Sequence, residues 1–124
     1  AVLGLAFKPG TDDLREAPSI DNISLLLKNG ADIVAYDPVA MDNFKKKFPE
    51  GVVERGTISY TNQIEEALKD ANICFIFTEW KEIKKVEPEA IKQLMRTPLV
   101  YDGRNIYSPE KMEEAGVEYY SIGR

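Results

Sequence analysis

The sequence predicts an α/β fold: a Rossmann-like, doubly wound, mostly parallel sheet of about six strands with helices on both faces. Three observations predict it. Apolar runs that read as strands alternate with segments of helical apolar spacing along all 124 residues. The runs Ala1–Phe7 and Asn72–Phe77 are apolar almost throughout, as expected of strands covered on both faces. Strand, helix and strand also follow one another within about 37 residues, a βαβ unit whose crossover is right-handed.

Taken in order, the run Ala1–Phe7 stops at Lys8, and a polar loop of Pro, Gly, Thr and Asp follows. From Ser19, Ile20, Ile23, Leu26 and Leu27 recur at helical spacing, with Pro18 in the first turn and Asn29-Gly30 as the stop. Asp32–Tyr36 is the second strand, ending at Asp37-Pro38. Met41–Phe48 reads as a short helix closed by Pro49, with Phe44 and Phe48 on one side. The stretch Val52–Tyr60 is ambiguous, with a short strand near Ile58. Asn62–Lys69 is helical, and Asn72–Phe77 is the candidate central strand, ending at Thr78-Glu79-Trp80. Pro88–Met95 is a helix, Leu99–Tyr101 a strand ending at Asp102-Gly103-Arg104, Pro109–Ala115 a helix and Val117–Ile122 the last strand. With strand order 3-2-1-4-5-6, the switch point falls between the first strand and Asn72–Phe77, and ligands bind at such a point, outside the carboxyl ends of the strands. Lys8 and Thr78-Glu79-Trp80 then flank the crevice and Arg104 reaches it from one side, so three loops converge on one rim.

A chain of 124 residues is expected to form one domain with a real core. Hydrophobic content of 44% and charged content of 30% describe an ordinary soluble globular protein. A net charge of −5 argues against a general nucleic-acid or membrane surface but leaves room for an anionic small ligand held by a few local cations. One cysteine excludes an intrachain disulfide and suits a reducing compartment, hence a cytoplasmic location. No apolar stretch approaches a membrane span, and no leader precedes the first strand. The first residue is Ala1, inside an apolar run, as expected of an excised domain or processed fragment.

Several residues are placed for chemistry. Lys8 ends the first strand at the switch point, where a lysine neutralises a phosphate or binds a base carbonyl; an isolated lysine there would otherwise be solvated. Arg15 suits a diphosphate through its two-pronged geometry, or simply pairs with Asp12, Asp13 or Glu16. Asp102-Gly103 makes a tight turn that projects Arg104 over the sheet rim. Trp80 reads as packing, Glu79 as structural, and Asp37-Pro38 as a strand-ending turn. Gly4 is not followed by a Gly-x-Gly-x-x-Gly pattern, so an autonomous NAD site is not expected. Cys74 lies inside an apolar strand, and no histidine exists to activate it. No catalytic constellation and no metal site are expected.

Gly4 through Pro18, Tyr36-Asp37-Pro38, Thr78-Glu79-Trp80 and Asp102-Gly103-Arg104 together closely resemble the C-terminal, UDP-binding domain of the UDP-glucose/GDP-mannose dehydrogenase family, in register over essentially the whole chain. The resemblance implies a domain of a larger enzyme that oxidises the C6 alcohol of a nucleotide sugar to a carboxylate with NAD+. The NAD-binding and central regions of that enzyme, with its catalytic cysteine, lie outside this chain; the parent is expected to be a homo-oligomer. It further implies that Phe7, Lys8 and Arg104 bind the UDP-sugar and that Arg15 reaches toward NAD+. The Lys8–Asp13 stretch suits the branch acting on UDP-glucose; branches acting on UDP-mannosamine-type sugars or GDP-mannose stay as alternatives. Two other readings stand beside it. One is a free-standing nucleotide-binding or regulatory module. The other is a receiver-type signalling domain with Asp12-Asp13 as its acidic pocket.

Overall fold

The computed structural model describes residues 1–122. Its seven-stranded sheet has the order β3-β4-β2-β1-β5-β6-β7. The strands are β1 (Val2–Leu3), β2 (Asp32–Tyr36), β3 (Gly51–Val53), β4 (Gly56–Tyr60), β5 (Cys74–Ile76), β6 (Leu99–Asp102) and β7 (Glu118–Ser121). The helices are α1 (Pro18–Lys28), α2 (Met41–Lys47), α3 (Ile64–Leu68), α4 (Lys81–Lys84), α5 (Pro88–Leu94) and α6 (Pro109–Glu114). All pairings are parallel except β3 with β4. Removing β3 leaves the predicted doubly wound order, with β1 and β5 adjacent at the switch point.

Three details differ from the sequence reading. The first strand ladder covers only Val2–Leu3, because Gly4 turns to φ +90° and the next two amides find another acceptor. The ambiguous stretch after Gly51 is a hairpin whose turn runs through Glu54 at φ +56°, without the Gly or Asn that usually announces such a turn. A four-residue helix, α4, also follows Trp80.

α1 ends as its sequence directs. Gly30 sits at φ +87° and the Ala31 amide donates back to the Leu26 carbonyl at 3.1 Å, which satisfies a last-turn carbonyl. The helix buries Ile23 and Leu27 on the sheet. The strands alternate between two faces. Cys74, Ile76 and Val100 are fully buried on the face that also buries Ile91 and Met112. Phe75, Phe77 and Tyr101 project to the face carrying α1. Among the described residues no helix is long and apolar enough to cross a membrane.

Candidate functional site

The site is built where the chain leaves β1. A Cβ on Gly4 would lie 2.6 Å from both the backbone nitrogen and Cβ of Thr78, so only glycine lets the β1 and β5 ends approach this closely. Leu5 and Ala6 then leave the sheet while fully buried, and their backbone groups need partners. Asp37, itself fully buried, supplies them. Its Oδ2 accepts the Leu5 amide at 2.7 Å, the Ala6 amide at 3.1 Å and the Trp80 indole N–H at 3.0 Å. Its Oδ1 accepts the Val39 and Ala40 amides at 2.9 and 2.7 Å. The carbonyls are met as well: Ser19 Oγ donates to Leu5 O at 2.7 Å and Thr78 Oγ1 to Ala6 O at 2.6 Å. Asp37 is thus more than a strand-ending turn, and Trp80 is buried packing with its N–H satisfied.

The predicted rim residues fall into two groups. Arg104 is central. Its Nε donates to the Phe77 carbonyl at 2.9 Å, and Nη2 donates to the Phe7 carbonyl. One guanidinium therefore ties the loops after β1, β5 and β6, the three whose convergence the strand order predicted. Glu79 Oε1 lies 3.8 Å from Arg104 Nε, so Glu79 sits within the same cluster as a counter-charge. Arg104 is held by its own turn: Asp102 Oδ1 accepts the Arg104 amide at 2.9 Å. Asp102 Oδ2 accepts the amides of Ile106 and Tyr107 at 2.8 and 3.3 Å and the Tyr119 hydroxyl at 2.6 Å. Two of the five guanidinium N–H groups serve the backbone carbonyls. The side chain is still 27% exposed, which leaves an edge toward solvent for an anion. Phe7 lies beside it, with a half-exposed ring.

Lys8 and Arg15 belong to the outer loop. The Phe7 amide donates to the Asp13 carbonyl at 3.0 Å and closes that loop. Lys8 is exposed and close enough to help hold the Asp13 carboxyl down. Arg15 does not join Arg104. It grips Asp13 with Nε at 3.0 Å from Oδ1 and Nη2 at 2.8 Å from Oδ2, while 88% of its side chain faces solvent. The hydrogen bonds from Arg15 are the main reason that the Asp13 carboxyl is lowered to about 2. Asp12 is engaged too, accepting Asn43 Nδ2 at 2.8 Å. Both carboxylates that a receiver-type pocket would need are thereby occupied. An open cleft of about 800 Å³ separates this loop from α2, lined by Asp12, Arg15, Ile20, Asn43 and Lys47.

Cys74 is fully buried, and desolvation pushes its thiol up to about 12, so it stays protonated. Among the described residues no group of His, Cys, Asp or Glu is arranged to hold a metal ion. A dinucleotide does not fit either. In dinucleotide folds an acid near the end of the second strand accepts the ribose hydroxyls. Asp37 stands at that place with both oxygens already committed to five protein donors. Sequence reasoning missed how far Asp37, Thr78 and Asp102 organise the rim; the signal was present as a polar residue ending each of three apolar strands.

Comparison with known proteins agrees with this geometry. The model of the UDP-glucose/GDP-mannose dehydrogenase family, UDP binding domain, matches residues 1–109. UDP-glucose 6-dehydrogenase YwqF of Bacillus subtilis is 47% identical over 124 residues, covering 100% of this chain and 27% of that protein. Among solved structures, NDP-N-acetyl-D-galactosaminuronic acid dehydrogenase from Methanosarcina mazei superimposes with a TM-score of 0.79 at 26% identity, over 100% of this chain and 24% of its own. UDP-glucose dehydrogenase from Pyrobaculum islandicum gives 0.74 at 29% identity, over 96% and 24%. The chain spans about a quarter of the length of the curated relatives it matches.

Proposed function

This chain belongs to the UDP-glucose/GDP-mannose dehydrogenase family, and from that premise we propose that its rim binds the nucleoside diphosphate part of a UDP-sugar. Residues 1–124 form one domain of a larger, homo-oligomeric cytoplasmic dehydrogenase that converts UDP-glucose to UDP-glucuronate. NAD+ is the hydride acceptor in that parent and is bound elsewhere in it, since Asp37 has no oxygen free for a ribose here. Alone, these residues carry no oxidation.

One observation carries the reading: Arg104 gathers the loops after three strands at the switch point and keeps an exposed edge beside Phe7. Phe7 and Lys8 supply an apolar ring and a cation from the neighbouring loop. Guanidinium and ammonium groups are the donors that diphosphates and base carbonyls select. Arg15, exposed and outside this cluster, is assigned to NAD+ held by another part of the parent; the Asp13 clasp uses Nε and Nη2, and most of the side chain faces solvent.

Steady-state kinetics of the full-length enzyme tests the reading. Lys8→Ala and Arg104→Ala should each raise KM for UDP-glucose. Losing one charge-assisted hydrogen bond is worth about 1.5–3 kcal/mol, or roughly tenfold to a hundredfold. Arg104→Lys restores charge without the fork and should recover only part of the loss. Arg15→Ala should instead raise KM for NAD+ more than for UDP-glucose. Unchanged UDP-glucose kinetics in both Lys8→Ala and Arg104→Ala would sink the assignment.

A further inference from the structure

On the face carrying α1, four aromatic rings form a continuous floor across β5, β6 and β7. Phe77 stacks on Phe75 at 5.9 Å between centroids, Phe75 on Tyr101 at 5.6 Å and Tyr101 on Tyr120 at 5.1 Å, all within 19° of parallel. Strand register sets the row, since Phe75 pairs with Tyr101 and Tyr101 with Tyr120. The floor is uncovered: Tyr101 is 42% and Tyr120 48% exposed, and Ile122 beyond them is 65% exposed. Pro18 and Asn22 of α1 form one wall of the recess, which holds about 350 Å³. Leu25, 63% exposed, continues the Pro18–Asn22 stripe at helical spacing.

The topology explains the gap. The β1–β2 crossover, through α1, runs one way along the sheet and the β5–β6–β7 crossovers run the other, so right-handedness puts α5 and α6 on the opposite face. Nothing in the described residues covers β5–β7 on the α1 side. Parallel strands are stable chiefly when both faces are covered. From β5 to β7 is two inter-strand spacings, about 10 Å, the diameter of one α-helix with its side chains.

We propose that this floor is the seat of an apolar-striped α-helix from the same polypeptide, supplied by the part that precedes residue 1 in the full-length dehydrogenase. The proposal rests on reading the chain as a C-terminal domain. Two observations favour this occupant over a second copy. The relatives matched carry about three-quarters of their length outside the matched region. Ala1 also leads into β1, the strand that pairs with β5, and it lines a neighbouring recess with Leu26 and Phe75, the ring that recess shares with the floor, so preceding chain arrives one strand from the aromatic row. Glu118, which accepts the Tyr120 hydroxyl at the outer margin, suits a lysine or arginine flanking the helix stripe.

The test uses the full-length enzyme with p-benzoylphenylalanine placed at Tyr101 and, separately, at Tyr120. After irradiation, mass spectrometry should find a crosslink within one polypeptide to a peptide from outside residues 1–124, at monomer mass. A crosslinked product of two chains would overturn the proposal in favour of subunit association. Folded, active protein with no crosslink at either position would show the floor open to water and would overturn it too. KM for UDP-glucose, read on Arg104→Ala, reports separately on the binding rim. A mapped crosslink with unchanged kinetics would leave the docking helix standing and remove the nucleotide assignment.

Discussion

The inner rim and the outer loop meet at Phe7, yet they are held by different means. The inner rim is anchored by buried groups: Asp37 takes five donors, Thr78 caps Ala6, and Asp102 fixes the turn that carries Arg104. The outer loop is held by a backbone bond from Phe7 to Asp13 and by solvent-facing side-chain contacts, the Arg15–Asp13 clasp and Asn43 on Asp12. An anchored guanidinium meets an anion without first losing side-chain freedom, which is preorganisation. Arg15, solvent-facing and clasped only by Asp13, must share or exchange that partner to meet a group delivered by another part of the enzyme. The difference teaches that the three cations of this rim are unequal in readiness as well as in position.

The largest expected effect is at Asp37. Asp37→Ala strands five donors, and each buried unpaired group costs about 1–3 kcal/mol. The sum rivals the whole stability of a domain, about 5–15 kcal/mol. We expect urea titration followed by circular dichroism to show no cooperative transition. A variant that melts within about 1 kcal/mol of the parent would erase the distinction between the two regions.

Thr78→Val sharpens the comparison at an intermediate scale. It keeps the shape but leaves the Ala6 carbonyl without its donor, at a cost of about 1–2 kcal/mol. The urea midpoint should fall with the slope unchanged; an unmoved midpoint would mean that the Ala6 carbonyl finds water.

Arg15→Ala is expected to have the smallest effect. Asp13 is held below the ordinary carboxylate range, so the clasp contributes fully above that range and is lost as pH falls toward 2. Solvent screens a pair this exposed. Calorimetric melts of the two proteins should nearly coincide at pH 7, with any gap closing as the pH is lowered to 2. A gap at pH 7 larger than that of Thr78→Val would show the outer loop to be as well anchored as the inner.

Much of this was legible in the sequence, because continuous apolar strands and helical spacing between them leave few topologies. The meeting of the loops after β1, β5 and β6 on one rim followed from strand order alone, although Lys8 itself stands in the outer loop. Other features had no local signature. The hairpin of β3 and β4 turns through Glu54-Arg55, which carries no turn residue to betray it. Asp37 is read locally as an Asp-Pro turn, and nothing nearby says that the Leu5 amide, 32 positions away, and the Trp80 indole, 43 away, converge on one carboxylate. Arg15 was open between diphosphate and local pairing; in this structure it takes the local partner.

The antiparallel β3 has a consequence for colloidal behaviour. A parallel sheet ending at β4 would offer a five-residue row of unpaired amides and carbonyls to any extended peptide. β3 pairs with Gly56–Ile58 of that row, the Glu50 carboxylate accepts the Tyr60 amide at 3.2 Å, and the edge left outside is three residues long, flanked by Glu50 and by Glu54 at the turn. An edge so short, with carboxylates at both ends, recruits further strands poorly, so the sheet stops growing there and the protein resists edge-to-edge aggregation on that side.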